Sequence, residues 1–289
     1  MSVEPEKFGK VLSRLTDIDI NNTRVTDLQL KELFRMMPIS GRVKRLGMQA
    51  LNISSVNSDL FASAVQELEY LNIGVTTHTK EQIRAVFDKW AEKCALKEVK
   101  MSQANFSSVE PEIFGKVLSC IEKVAINSSK VNTYQATKLF QSVAKMKQLK
   151  ILNICGNDLS NVDSRIFGKG VSMIEEANLE STEITAAQAS QLFINLSELS
   201  SKLQILSLVR TDLSLVVPEV LAEGVINLKE ANLYSTSLNE EQVDVLLRHC
   251  LEQPTQLYLL TIREYGELKY DRQLYLAVCK KLGDRINVQ

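Results

Sequence analysis

The sequence predicts an α/β solenoid, with about ten parallel strands along one face and helices along the other. Three observations predict it: an apolar pattern that recurs at a fixed rhythm, helix-capping pairs after every odd member, and helix starts led by Pro or Ser around the even ones. The pattern L-x-x-L-x-L begins at Leu15, Val43, Leu68, Leu96, Ile121, Leu149, Ile174, Leu203, Leu228 and Leu257. Successive starts lie 28 or 29 residues apart and then 25, in strict alternation. A rhythm held over nearly all of 289 residues marks a repeat array whose units bury their apolar sides against one another.

Each member begins with a strand. The run Leu149-Lys150-Ile151-Leu152-Asn153-Ile154-Cys155-Gly156-Asn157-Asp158-Leu159 has the period-two alternation of a strand buried on one face. Its ninth position is Asn157 here and Thr23, Thr76, Thr182, Thr211 or Thr236 elsewhere, residues able to bond the backbone where the chain leaves the strand.

Two return segments alternate. After odd strands stand the pairs Thr26/Gln29, Thr79/Gln82, Asn132/Gln135, Thr185/Gln188 and Asn239/Gln242, spaced as capping boxes that satisfy free amides at a helix start. The first such helix carries Leu30, Leu33, Phe34 and Met37 on one side, and Pro38 and Pro254 fall near the ends of the first and last of these helices, where a helix must stop. The other segments are shorter and open on Val3-Glu4-Pro5, Val109-Glu110-Pro111 and Val216-Val217-Pro218, with Ser58 and Ser164 in place of Pro in the remaining copies. Pro costs no hydrogen bond at a first helical position. The duplicated unit is thus a two-repeat module of 53 or 54 residues, and five modules fill residues 1–268.

Right-handed crossovers place all strands on one side of such an array. Strands pack about 4.8 Å apart and helices roughly 8–10 Å apart, so the expected array bends into a horseshoe with strands on the concave face. Residues 269–289 leave the pattern. Asp271 to Gly283 reads as an amphipathic helix that caps the last repeat, with partner binding as its alternative role. At the other end, either the Pro5 helix serves as a cap or the chain begins inside a longer protein.

These motifs resemble the leucine-rich repeat superfamily, and within it the ribonuclease-inhibitor-like class of alternating long repeats. The resemblance covers about residues 2–268, and the 25-residue step is shorter than that class uses. It implies a non-enzymatic scaffold that binds a protein partner on its concave strand face. The class also includes enzyme inhibitors, GTPase regulators, actin regulators and innate immune sensors. It therefore implies two alternatives: a ligand-sensing or autoinhibitory region of a larger innate-immune-type receptor, or a GTPase-regulating protein.

Composition narrows the function. With 34 basic against 35 acidic residues the chain lacks the basic footprint of nucleic-acid binding. No apolar run reaches membrane-spanning length. The start Met1-Ser2-Val3-Glu4-Pro5-Glu6 is not a secretory signal, and five cysteines without paired spacing suit a reducing compartment, so a cytoplasmic protein is expected. The Asn-x-Ser/Thr sequons at Asn52, Asn105 and Asn195 then count as incidental. His78 and His249 have no ligand partners at metal-site spacing, and Gly168-Lys169-Gly170 belongs to a repeated helix start, not to a phosphate loop. No catalytic residue, metal or cofactor is expected, and a broad shallow arc suits a protein better than a small molecule. Trp90 is assigned to packing, as are Cys94, Cys120, Cys250 and Cys279, which are expected on helices.

The register also lists the inner face. Its third positions run Asp17, Arg45, Tyr70, Glu98, Lys123, Ile151, Glu176, Ile205, Glu230 and Leu259. The first five are polar with mixed charge. The last five set Ile151, Ile205 and Leu259 on alternate strands with Glu176 and Glu230 between them, while Cys155, Val209 and Tyr234 follow at seventh positions. Apolar and aromatic groups on a solvent-facing sheet suit a binding patch, and the interleaved acids favour a partner carrying Lys or Arg. The candidate partner-binding residues are therefore Tyr70, Ile151, Cys155, Glu176, Ile205, Val209, Glu230, Tyr234 and Leu259. No motif specifies the partner or the oligomeric state.

Overall fold

The computed structural model describes residues 3–198, 200–263 and 268–288, with only the backbone of residue 284. Met1, Ser2, Glu267 and Gln289 lie outside the described residues. The chain divides into two compact units, residues 1–139 and 140–289, with the boundary inside one helix.

The first unit holds α1 (Pro5–Leu12), β1 (Asp17–Asp19), α2 (Asp27–Ser40), β2 (Arg45–Gly47), α3 (Ser58–Val65), β3 (Tyr70–Asn72), α4 (Lys80–Glu92), β4 (Glu98–Lys100), α5 (Pro111–Ser119), β5 (Lys123–Ala125) and the first half of α6 (Thr133–Met146). The second continues with β6 (Ile151–Asn153), α7 (Ser164–Ser172), β7 (Glu176–Asn178), α8 (Ala186–Leu196), β8 (Ile205–Ser207), α9 (Pro218–Val225), β9 (Glu230–Tyr234), α10 (Glu240–Glu252), β10 (Leu259–Arg263), α11 (Arg272–Leu282) and β11 (Ile286–Val288). Within each unit every strand pairs in parallel with the next one in sequence. Third positions pair with third positions, as in Asp17↔Arg45↔Tyr70 and Ile205↔Glu230↔Leu259.

Alternation along the strands sets the core. Ile18, Leu46, Leu71 and Val99 in the first unit, and Leu152, Leu206 and Leu260 in the second, are all at most 4% exposed. Behind them lie Phe34, Phe61, Phe87, Phe106 and Phe114 in the first unit and Phe140, Phe167 and Phe193 in the second, all fully buried. Trp90 packs at 5.6 Å from the Phe87 ring, as its packing assignment requires.

All five capping boxes form, and their glutamines do more than cap. The Gln188 side-chain oxygen accepts from the Thr185 amide, while its Nε2 donates to the Leu159 and Val162 carbonyls of the preceding repeat. Gln82, Gln135 and Gln242 repeat this with Ile53/Val56, Phe106/Val109 and Leu213/Val216. Among the described residues Gln29 Nε2 reaches one carbonyl, that of Val3. Each glutamine thus satisfies buried backbone groups of two adjacent repeats.

The shorter helices start in one of two ways. Pro5, Pro111 and Pro218 open α1, α5 and α9 without a side-chain cap, whereas Asn57 and Asp163 cap α3 and α7, where Ser replaces Pro. Two of the sequons are explained by the repeat. Asn52 and Asn105 accept from Ser54 and Ser107 amides in a turn that Asp158/Ser160 and Asp212/Ser214 repeat in the second unit. At the ninth position Thr23, Thr76, Thr182, Thr236 and Asn157 each bond a backbone carbonyl, but buried Thr211 Oγ1 finds no partner among the described residues.

Several expectations need correction. Pro38 falls near the end of α2, as expected, but does not itself stop it. It sits inside the helix, which runs on to Ser40 and stops at Gly41 in the left-handed conformation (φ 60°). Cys94 lies beyond the end of α4, and Cys120 is the C-terminal cap of α5; only Cys250 and Cys279 are helical. The tail forms the expected helix from its Asp271 cap to Gly283, but the chain then adds β11, an eleventh strand paired with β10. Ile286 and Val288 are buried there, so the segment completes a further strand instead of only covering the last repeat.

The eighth position of each described repeat takes a left-handed backbone, with φ of 50–67° at residues that include Asn22, Val75, Ser128, Gly156 and Ser235. In this geometry the amide donates to the next repeat, as from Val75 to the Ser102 carbonyl and from Gly156 to the Glu180 carbonyl. An inter-repeat bond therefore holds even a β-branched residue in a disfavoured region.

Candidate functional site

On the strand face of the first unit several charged side chains find partners. Arg45 pairs with Asp17 at 3.2 Å and lies 4.2 Å above the Tyr70 ring. Lys100 lies 5.7 Å from the centroid of the same Tyr70 ring and pairs with Glu98 at 3.1 Å. Tyr70 is half-buried between these cations. Asp17, Asp19, Asn21, Arg45, Gly47 and Tyr70 line a shallow cavity of about 280 Å³.

The strand face of the second unit has another character. Pairing register puts Ile151, Glu176, Ile205, Glu230 and Leu259 side by side, one per strand. Ile151 and Ile205 are half-buried, and Leu259 is 40% exposed. Neither Glu176 nor Glu230 has an ion pair among the described residues. In the next row Asn153, Asn178 and Asn232 each turn their side-chain oxygen to a backbone amide two residues on, those of Cys155, Glu180 and Tyr234. Asn72 does the same for Gly74 in the first unit. These repeated asparagines thus have a structural reason to recur, which the strand pattern alone did not reveal.

The seventh-position residues divide. Tyr234 and Cys155 are half-buried, whereas Val209 is only 8% exposed and adds little surface. Burial, and then the Glu180 carboxylate, raise the Cys155 thiol above its ordinary pKa, away from nucleophilic use. Glu180 faces Arg210 at 3.9 Å.

The two histidines lie apart from this face and are bound to backbone. His78 Nδ1 donates to the Thr76 carbonyl at 2.6 Å while its Nε2 accepts from the Asn105 amide at 3.5 Å, and burial holds its pKa below the usual imidazole value. His249 Nδ1 donates to the Val245 carbonyl at 3.0 Å. Among the described residues no group of His, Cys, Asp and Glu could hold a metal ion, and no helix is long and apolar enough to cross a membrane.

No protein-family model matches the chain, and no curated protein matches it. Solved structures do. The chain is similar to the leucine-rich repeat-containing protein LegL7 from Legionella pneumophila, at 12% identity and a TM-score of 0.53 over 98% of this chain and 95% of that one. It is also similar to Rad7 in the yeast Rad7–Elc1 complex, at 17% identity and a TM-score of 0.57 over 99% of this chain and 72% of that one. At these identities the likeness establishes the fold, and the fold is an α/β leucine-rich repeat solenoid.

Proposed function

We propose that this protein is a non-enzymatic scaffold that binds a protein partner through the strand face of its second unit. One observation carries the reading: Ile151, Ile205 and Leu259 form a solvent-facing apolar row separated by two carboxylates that have no ion pair among the described residues. Apolar surface gains by leaving water, and an unpaired carboxylate between such groups gains from an incoming cation. Tyr234, at the seventh position of β9, adds an aromatic anchor, with Val209 of the neighbouring repeat as wall and Cys155 farther along beyond β6. Tyr70 is the weakest member of the candidate set, because two cations already cover it. Rad7, which shares the fold, was solved in complex with Elc1, and a protein partner is in keeping with that. A cytoplasmic setting fits a chain whose five cysteines include no disulfide among them.

The test is affinity capture with the native chain and with an Ile151→Asp, Ile205→Asp, Leu259→Asp variant of native circular dichroism. A partner kept by the native chain and lost by the variant is the expected result. Equal capture by both would refute the assignment to this face.

A further inference from the structure

We infer that the partner segment seated on the second unit is a basic amphipathic helix lying across the strands, an inference that rests on the binding role just proposed for this face. The first argument is order. Across five adjacent strands the row alternates apolar, acidic, apolar, acidic, apolar, from Ile151 through Glu176, Ile205 and Glu230 to Leu259.

The second argument is spacing. Neighbouring strands stand about 4.8 Å apart, so five of them span about 19 Å. A helix presents one residue to such a line every three or four positions, about every 5.3 Å, and about 15 residues would cover the row. An extended segment presents a side chain every 6.6–6.8 Å or so and drifts out of step within two strands.

The third argument is width. The flanking row Asn153, Asn178, Ser207 and Asn232 is polar. On the other side Glu175, Gln204 and Lys229 are polar and exposed, and the row ends in exposed Tyr258 beside Leu259. From Ile151 through Glu230 the third-position row is thus bordered by polar residues on both sides, and its apolar members form a line that matches one narrow helix stripe.

The complementary segment has apolar residues at i, i+7 and i+14. Lys or Arg stands at i+3 or i+4, opposite Glu176, and at i+10 or i+11, opposite Glu230.

The experiment pans a displayed library of Ala/Gln-based helical peptides of about 15 residues against the full chain, with the five stripe positions randomised. A parallel library holds the same randomised residues in extended, Pro-flanked peptides. Helices with the apolar–basic–apolar–basic–apolar order are expected to be selected. Their affinity should fall about tenfold or more on the Glu176→Lys, Glu230→Lys variant, against which acidic residues replace the basic ones. Selection of extended peptides, helices without base preference, or no binder at all would overturn the inference. Selected peptides that ignore the charge reversal but are lost on Ile151→Asp, Ile205→Asp, Leu259→Asp would leave the binding face standing and remove the basic helix. Peptides that bind both variants as well as the native chain would remove both readings.

Discussion

The two units share one module, yet their strand faces diverge at the third position of each repeat. In the first, charges find partners close by: Asp17 with Arg45 across β1 and β2, Arg45 with the Tyr70 ring across β2 and β3, and Lys100 with Glu98 within β4. In the second, acids alternate with aliphatic residues, so neither has a neighbour that completes it. The same backbone thus makes a satisfied surface in one half and an unsatisfied one in the other. The proposed recognition surface is the unsatisfied half, where a partner can replace water at Ile205 and Glu230 without breaking an existing pair.

The largest effect should come from breaking that difference. Ile205→Asp in the second unit is expected to weaken partner binding about a hundredfold, in line with the ~2–4 kcal/mol of a hot-spot residue. Arg45→Asp in the first unit should leave binding within about threefold, as for a site outside the interface. Titration calorimetry or anisotropy with the captured partner measures both.

The next comparison concerns the buried glutamines. Gln188→Leu should cost about 3 kcal/mol of unfolding free energy, because it strands two carbonyls and a capped amide. Gln29→Leu should cost about 1 kcal/mol, since that side chain holds one carbonyl and lies in an end repeat. Urea denaturation of both variants reports the ratio, and equal costs would contradict the inter-repeat role.

A smaller pair tests the strand exit. Val75 and Gly156 occupy equivalent left-handed positions in the two units. Val75→Gly is expected to stabilise by about 1 kcal/mol and Gly156→Val to destabilise by about 1–2 kcal/mol. Opposite shifts in urea midpoint would bear this out; shifts of the same sign would not.

The smallest effect concerns pH. His78 occupies a position that is apolar in the second unit, where Leu159, Ile184, Leu213 and Leu238 are buried. Burial lowers its pKa, so the proton binds the unfolded chain more readily than the folded one. The stability owed to neutral His78 is complete above the ordinary imidazole pKa of about 6.5 and is lost as pH falls below it. His78→Leu should therefore flatten the decline of the urea midpoint between roughly pH 7 and pH 5.

Much of the fold was legible because repetition writes it several times over. The ten expected strands, their register, the five capping boxes and the Asp271-capped helix all rest on local spacing, which reads directly from residues such as Thr185 and Gln188. Contacts between repeats were less legible. Nothing local says that Gln188 Nε2 will reach Leu159 and Val162, or that Val75 will be held left-handed by a bond to Ser102. The strand Ile286–Val288 lacks the leucine pattern and forms because β10 offers a free edge. On the candidate face, alternation placed Ile151, Glu176, Ile205, Glu230 and Leu259 in one row, but the burial of Val209 and the two cations around Tyr70 depend on neighbouring side chains.

The central claim is that the second unit, and not the first, carries the binding surface. Replacing Ile205 or Arg45 singly with a photocrosslinking phenylalanine analogue and irradiating in extract tests it most directly. The account predicts a discrete adduct from position 205 that the Ile151→Asp, Leu259→Asp background abolishes, and none of that mass from position 45. An adduct from position 45 alone, or one from 205 that survives that background, would contradict it.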